Sequence, residues 1–334
     1  MDVLITGIGG QDGYYLSELL LGQGHTVHGI LRTAHSHPLL AALGERFGGE
    51  RLRLVYGDVT DSAFLRQVIC SVVPEQIYNL AGQSRVGESF RIPETTFSVN
   101  TLVPLALLEI VRTYNPQIRV FQACSAEVFG ERAAVPQTEQ TPFAPASPYA
   151  VSKASAYWLV HTYRRAYGLY ACNAILYNHE SPLRDESFLS GKVARAVARI
   201  VRGRQRTLSL GNLEVRRDWG FAGDYVEAMW LMMNQPEPDD YVIASGETHS
   251  VGEFVELAFR HADLDWRDHV EVDEGLYRPI DAGDMQGDAR LARERLRWHP
   301  RCDFPSLVRM MVDSALEQEI KSESLSPAAL HIEK

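Results

Sequence analysis

Residues 2–13 read DVLITGIGGQDG. A short apolar run, Asp2–Thr6, ends in glycines at 7, 10 and 13, and an amphipathic stretch, Tyr14–Gly22, follows. A strand, a glycine trio spaced G-x-x-G-x-x-G and a helix make a variant of the dinucleotide-binding fingerprint. Gly7, Gly10 and Gly13 let the backbone turn tightly and approach a pyrophosphate, whose charge then meets the positive end of the helix. A glycine trio by itself also suits an ordinary βα turn. Its place after the first strand of an alternating pattern favours the dinucleotide.

That pattern continues outward. TVHGIL (26–31), RLVYG (53–57), QIYNLA (76–81), IRVFQAC (118–124) and ACNAILY (171–177) each read as a buried strand, with helical stretches such as Thr101–Tyr114 between them. Strand, helix, strand at this spacing requires right-handed crossovers, so the expected fold is α/β, a doubly wound parallel sheet of the Rossmann type. From about residue 180 the rhythm breaks. Lys192–Arg206 is basic and helix-like, Thr207–Leu210 is a short strand signal, and Asp224–Asn234, Val251–Ala262 and Phe304–Ile320 read as helices. There is no internal repeat and no low-complexity linker. The expected organisation is a dinucleotide-binding domain over 1–177, to which part of the later chain returns. A smaller lobe for the substrate spans 178–320, and 321–334 form a polar tail expected to fray.

With 334 residues the chain has room for two domains or one large α/β domain. Its 45% hydrophobic and 23% charged residues exclude wholesale disorder. A net charge of −10 argues against a surface built for nucleic acid or anionic lipid, so any polyanion must be gripped by a local basic cluster. No run of about 18 apolar residues stands out as a membrane span. The opening MDVLITG reads as a strand with no basic n-region or cleavage site, and a cytoplasmic protein is expected. Cys70, Cys124, Cys172 and Cys302 form no CxxC pair or Cys/His cluster, so neither a metal site nor a disulfide scaffold is indicated. Cys124 and Cys172 lie in apolar runs and read as buried thiols.

The end of the second strand selects the cofactor. An acid there would bond the ribose of NAD, whereas an arginine accommodates the extra phosphate of NADP. Here the strand ends GILRT, with Arg32, which favours NADP. After the third strand comes YGDVTD. Asp58 there either caps the next helix, beside Asp61 and Ser62, or meets the adenine amino group while Val59 packs on the ring.

Tyr149 and Lys153 stand as YAVSK in a helix read over 149–167, one turn apart on one face. A buried ammonium beside the phenol lowers its pKa and makes Tyr149 an acid/base for a carbinol proton. Ser125, in CSAEVFG, follows the fifth strand, where a parallel sheet faces its ligand. Glu127 is two residues on. It is a surface carboxylate, or it faces the crevice as the base that takes a carbon-bound proton beside a ketone.

TGIGGQDG, YNLAGQS, QACSAEVFG and YAVSK together resemble an extended short-chain dehydrogenase/reductase acting on a nucleotide sugar. NHESP (178–182), LGNLEVRRDWGFAGDYVEAMWLM (210–232) and DDYVIASGETHSVGEF (239–254) narrow the resemblance to the GDP-mannose 4,6-dehydratase family, from about residue 2 to 300. The resemblance implies that Tyr149 deprotonates the C4 hydroxyl as hydride passes to NADP. Glu127 then removes the C5 proton, and water leaves from C6 with help from Glu127 and Ser125. Hydride returns to C6, and the cofactor needs no external reductant. The matched motifs add Gln11, Asp12, Leu80 and Ala81 to the cofactor site, with Tyr149 and Lys153 also touching it. They place Ser84, Asn178, Lys192, Arg217 and Arg278 on the nucleotide-sugar substrate, with arginine forks gripping its diphosphate. Trp219 is expected to pack rather than bind.

Several positions depart from the family pattern. Ser125 stands for a threonine, Thr33 for an arginine, Arg85 for a histidine, Leu183 and Gly191 for arginines, and Asp281 for a glutamate. The loop AHSHPLLAALG after Thr33 also differs, which leaves a homodimer or a homotetramer open. Such changes suit a close GDP-sugar, including a heptose, as well as mannose. A GDP-sugar 4-reductase or epimerase shares Tyr149 and Lys153 but has no need of Glu127, and an NADP sensor on this fold would have lost Tyr149 or Lys153.

Overall fold

The computed structural model describes residues 1–33, 37–131, 133–277 and 283–324. Seven parallel strands form the main sheet: β1 (Asp2–Thr6), β2 (Thr26–Leu31), β3 (Leu52–Tyr56), β4 (Gln76–Asn79), β5 (Arg119–Ser125), β6 (Ala171–Leu176) and, after the three lobe strands β7 (Asn178–Glu180), β8 (Leu208–Leu210) and β9 (Arg216–Phe221), β10 (Tyr241–Ile243). Their order is β10-β6-β5-β4-β1-β2-β3, a doubly wound sheet whose direction of winding reverses between β1 and β4. Two further lobe strands, β11 (Thr248–Ser250) and β12 (Val270–Val272), complete the set.

Alternation along β1 explains the layering. Val3 and Ile5 join the core built with Leu16, Leu20, Met229 and Met232, while Leu4 between them joins Leu65, Leu107 and Val111 in a second core. The helices are α1 (Gln11–Gly22), α2 (Pro38–Arg46), α3 (Ser62–Val72), two short ones, α4 (Val86–Ser89) and α5 (Pro93–Phe97), then α6 (Val103–Tyr114) and α7 (Pro148–Tyr167). Later come α8 (Leu189–Val201), α9 (Ala222–Met233), α10 (Val251–His261), α11 (Arg290–Leu296) and α12 (Phe304–Ser324). Residues of α9, α11 and β10 lie in the first core, packed against the main sheet.

The lobe has its own core. Val193 and Val197 of α8, Phe254 and Phe259 of α10 and Leu307 and Met311 of α12 close over Trp219, which stacks on Phe304 at 5.7 Å. Trp219 is thus a packing residue. A three-stranded sheet, β11-β9-β7, and the pair β12-β8 line it.

The differences from the sequence reading are physical. The fourth strand ends at Asn79, because Leu80 and Ala81 leave the sheet after their N–H groups meet Thr6 O and Thr6 Oγ1. Ser125 is the last residue of β5 rather than the first beyond it. The basic helix starts at Leu189 and stops at Val201, where glycine at 203 (φ 68°) turns the chain. The last helix runs to Ser324, so 321–324 are not a tail; the rest of the expected tail lies outside the described residues. The helical run Pro93–Tyr114 is long and apolar enough by composition to cross a membrane, which the sequence reading overlooked. Its buried Val103, Leu107, Leu108, Ile110 and Val111 instead form part of the second core.

Candidate active site

The glycine turn is built as its spacing requires. Gly7 has φ +73°, and a Cβ there would lie 2.7 Å from Ala81 N. A Cβ on Gly13 would lie 2.5 Å from Ile8 Cα, whereas one on Gly10 meets only Gly7 O at 3.3 Å. Two of the three glycines are therefore compelled by contact, and the third is not. Gly10 starts α1 with no side chain capping it, so the first N–H groups of the helix remain available to an anion.

Asp12 in that first turn would repel a phosphate, and the fold deals with it. His179 Nε2 bonds Asp12 Oδ2 at 2.9 Å, and His179 Nδ1 bonds Tyr177 O at 2.7 Å. Gln11 donates to His179 O and accepts from Ser181 Oγ at 2.8 Å. The side chains of Gln11 and Asp12 are thereby committed to the NHESP segment. His179 was quoted within a motif but not singled out in the sequence. Its stacking on Tyr225 at 4.7 Å and its acid partner could not be read from spacing.

Arg32 is exposed at the end of β2 and makes no hydrogen bond among the described residues, its charge acting on Asp58. Asp58 does not cap α3. Its Oδ1 accepts from Thr60 N–H and Oγ1 at 2.9 and 2.8 Å, which holds its pKa below the usual carboxylate range, while Asp61 caps the helix through Ala63 and Phe64. Val59 is half-buried beside it. Leu80 and Ala81 border Gly7 at the switch point between β1 and β4, and Ser84 is exposed just beyond.

Ser125, Glu127 and Tyr149 come together at the end of β5 and the start of α7. Ser125 Oγ accepts the Glu127 N–H at 3.3 Å. Burial pushes the Tyr149 phenol well above its ordinary pKa; the Ser125 hydroxyl pulls it down and the Glu127 charge pushes it up. Glu127 is half-buried between buried Ala126 and Val128, near enough for its charge to act on the phenol. α7 begins with Ser147 capping the Ala150 N–H at 3.0 Å and Pro148 in its first turn, which fixes where Tyr149 enters the site.

Lys153 corrects an expectation. It is 6% exposed, yet its Nζ donates to Ala123 O at 2.9 Å and stands 5.9 Å from the Tyr149 ring centre, with no hydrogen bond to the phenol. Burial lowers the lysine's own pKa, and the phenol is raised rather than lowered in this state. The ammonium is held by the sheet end instead of by the hydroxyl one turn away.

On the lobe side, Asn178 is half-buried on β7 beside Trp219 of β9, and its side chain bonds no protein group among the described residues. Lys192 Nζ donates to Ser209 O at 2.6 Å and lines a cleft of about 470 Å³ with Asp185, Ser187, Arg199 and Gln205. Arg217 is 7% exposed and donates to Arg216 O at 2.7 Å. Arg85 is exposed, 3.2 Å from Glu88 and 3.9 Å from Asp185. Gly191 is a glycine for a steric reason: a Cβ would lie 2.5 Å from Asp185 O. Leu183 N–H bonds Ser181 Oγ. Arg278 and Asp281 lie outside the described residues. All four cysteines are free, Cys124 and Cys172 buried.

A doubly wound sheet with a glycine turn at its switch point and a Ser-Tyr-Lys set across the crevice defines an extended short-chain dehydrogenase/reductase. A solved structure of the dTDP-glucose 4,6-dehydratase DesIV from Streptomyces venezuelae, with NAD and TYD bound, matches this chain at a TM-score of 0.85. It covers 98% of this chain and 100% of that one at 23% identity, a likeness of fold. The chain belongs to the GDP-mannose 4,6-dehydratase family, whose model, described as GDP-mannose 4,6 dehydratase, matches residues 4–311. It is 46% identical to GDP-mannose 4,6 dehydratase 1 of Arabidopsis thaliana, over 97% of this chain and 92% of that protein. It is 44% identical to the human GDP-mannose 4,6 dehydratase, over 94% and 91%. Members of the family are hydro-lyases of deoxysugar biosynthesis.

Proposed function

We propose that this chain converts GDP-mannose to GDP-4-keto-6-deoxy-mannose with NADP as its resident cofactor. The observation that carries the reading is the convergence of Ser125, Glu127 and Tyr149 on one point at the sheet's C-terminal edge. The glycine cradle at Gly7 and Gly13, the uncapped start of α1 and the exposed Arg32 fit a dinucleotide with an added phosphate. When bound, NADP supplies a place for hydride from C4 and gives it back at C6.

The protein's own residues move the protons. Tyr149 takes the C4 hydroxyl proton, with Ser125 holding the same oxygen. The resulting C4 ketone acidifies C5, and Glu127 removes that proton. Protonated Glu127 then delivers it to the C6 hydroxyl, which leaves as water; a proton is restored at C5 as hydride returns to C6, balanced by the one Tyr149 took from the C4 hydroxyl. Lys153, anchored on Ala123 O, keeps a positive charge in a dry site near the phenol. Asn178, Lys192, Arg217 and Arg278 are assigned to the nucleotide end, and Ser84 to the sugar.

The free, buried thiols fit a reducing compartment and so a cytoplasmic location. Exposed Leu102, Val151 and Trp158, at the start of α6 and on α7, fit a homo-oligomer, dimer or tetramer.

Incubation of the purified protein with GDP-mannose alone tests the reading. The product should weigh one water less and carry a 4-keto group, with no NADPH added. Product that appears only with stoichiometric NADPH would make the chain a reductase instead.

A further inference from the structure

Between Arg217 and Trp219 on β9 lies Asp218, with no exposed surface. Its Oδ1 accepts from Ser245 N–H at 2.8 Å and Ser245 Oγ at 2.7 Å. Its Oδ2 accepts from Gly246 N–H at 2.9 Å and Gly287 N–H at 3.2 Å. Ser245 and Gly246 follow β10, the edge strand of the main sheet, and Gly287 packs so closely that a Cβ would lie 2.3 Å from that of Ala244. β9 itself is the middle strand of the lobe sheet. One carboxylate thus fastens the lobe's central strand to the edge of the dinucleotide-binding sheet, through donors from two separate segments.

Adjacent residues of a strand point to opposite faces. Asp218 therefore faces the main sheet, while Arg217 and Trp219 face the lobe side, where Trp219 meets Phe304. The 283–287 segment is held from both sides of β9. Met285 bridges to Arg217, whose Nη1 reaches Gly283 O at 3.5 Å, and Gly287 is held by Asp218. Gln137 adds a third hold, bonding Asp284 O and accepting the Gln286 N–H. No proton-transfer step calls on Asp218. Its burial pushes its pKa upward, and four donors pull against that.

We propose, building on the reading of Arg217 as a diphosphate contact, that Asp218 is a positioning residue. By locking β9 to the end of β10 and to the 283–287 segment, it sets where Arg217 meets the substrate's diphosphate relative to Tyr149 and Glu127.

The experiment compares Asp218→Asn, Ser245→Ala and Arg217→Ala in the full-length holoenzyme, by GDP titration calorimetry and by steady-state kinetics with GDP-mannose. Asn at 218 turns an amide donor toward two N–H groups. It should weaken GDP binding and raise KM by about tenfold, with kcat within about threefold of wild type. Ser245→Ala removes one donor and should cost about threefold in GDP affinity. It should cost nothing further in the Arg217→Ala background, because its effect passes through Arg217. A purely structural Asp218 would lower Tm and leave KM and GDP affinity unchanged, which overturns the proposal. Should Asp218→Asn fail to fold, the Ser245→Ala cycle decides alone, and additive losses sink the idea. If Arg217→Ala binds GDP normally, the reading of Arg217 falls. If only Arg217→Ala loses binding, that reading stands and the role of Asp218 does not.

Discussion

The imidazole of His179 bonds the carboxylate of Asp12 at 2.9 Å, joining the first strand of the lobe to the first turn of α1. Burial opposes both charges, but each supports the other. His179 is held above its ordinary pKa of 6.5 and Asp12 below its ordinary 3.8. The carboxylate's share of stability is present above pH about 4 and lost as pH falls through its lowered pKa; the imidazole's share is full below pH about 6.5 and lost as pH rises through its raised one. The pair therefore contributes most between those limits. His179→Gln should flatten the dependence of Tm on pH between 6 and 9. An unchanged slope in that variant would show the pair is not ionised in the folded protein.

The charge of Glu127 raises the phenol of Tyr149, and that gives a test independent of turnover. Removing it in Glu127→Gln should lower the tyrosinate pKa of position 149, read as a difference in ultraviolet absorbance titration against Tyr149→Phe. The same variant should bind GDP normally while losing about 10²–10⁴ in kcat for want of its acid/base group. Full activity would remove Glu127 from the mechanism, and an unmoved phenol would mean that the carboxylate turns elsewhere.

Six of the seven strands of the main sheet were legible because their signals are local; β10, only Tyr241–Ile243, was not read as a strand. Each of the six is a short apolar run, and the glycine turn sits where φ and contact demand it. The lobe was only partly so. β7 and β11 have three residues each, too short for an alternation to stand out, and β9 carries the charged pair Arg216 and Arg217 at its start. Within the candidate site, Ser125, Glu127 and Tyr149 could be singled out because motif spacing placed them at a strand end and a helix start. The Lys153 hold on Ala123 O, the Asp12 pair with His179 and the four bonds of Asp218 are long-range contacts, 30, 167 and at least 27 residues apart, and no window of sequence contains them. Buried charge inside a quoted motif, as in RDWG and NHESP, was the one available signal.

The glycines separate cleanly by what surrounds them. Gly7→Ala must place a Cβ 2.7 Å from Ala81 N at φ +73°, and Gly13→Ala one 2.5 Å from Ile8 Cα. The left-handed backbone alone costs about 1–2 kcal/mol for Ala. Both variants should lower Tm and release NADP from the purified protein, measured by extraction and chromatography of the bound nucleotide. Gly10→Ala, whose Cβ meets only Gly7 O at 3.3 Å, should keep its nucleotide. Equal losses in all three would mean that the turn is limited by something other than this contact.

On the proposed reading, Arg32 selects NADP over NAD. It is exposed at the end of β2, bonded to no protein group among the described residues, and no acid occupies the strand end where NAD's ribose would be met. A guanidinium bond to the extra phosphate is charge-assisted and worth about 1.5–3 kcal/mol, which corresponds to about 10–100-fold in affinity. Arg32→Ala should weaken NADP by that factor and leave NAD affinity within about twofold, since NAD lacks the phosphate. Because the bond is solvent-exposed, the wild-type preference should shrink as salt rises while the variant's does not. Fluorescence titration of stripped protein with NADPH and NADH, at low and high ionic strength, reads both effects. Equal losses for the two nucleotides would show that Arg32 holds the loop rather than the phosphate, and the NADP assignment would then rest on nothing at this strand end.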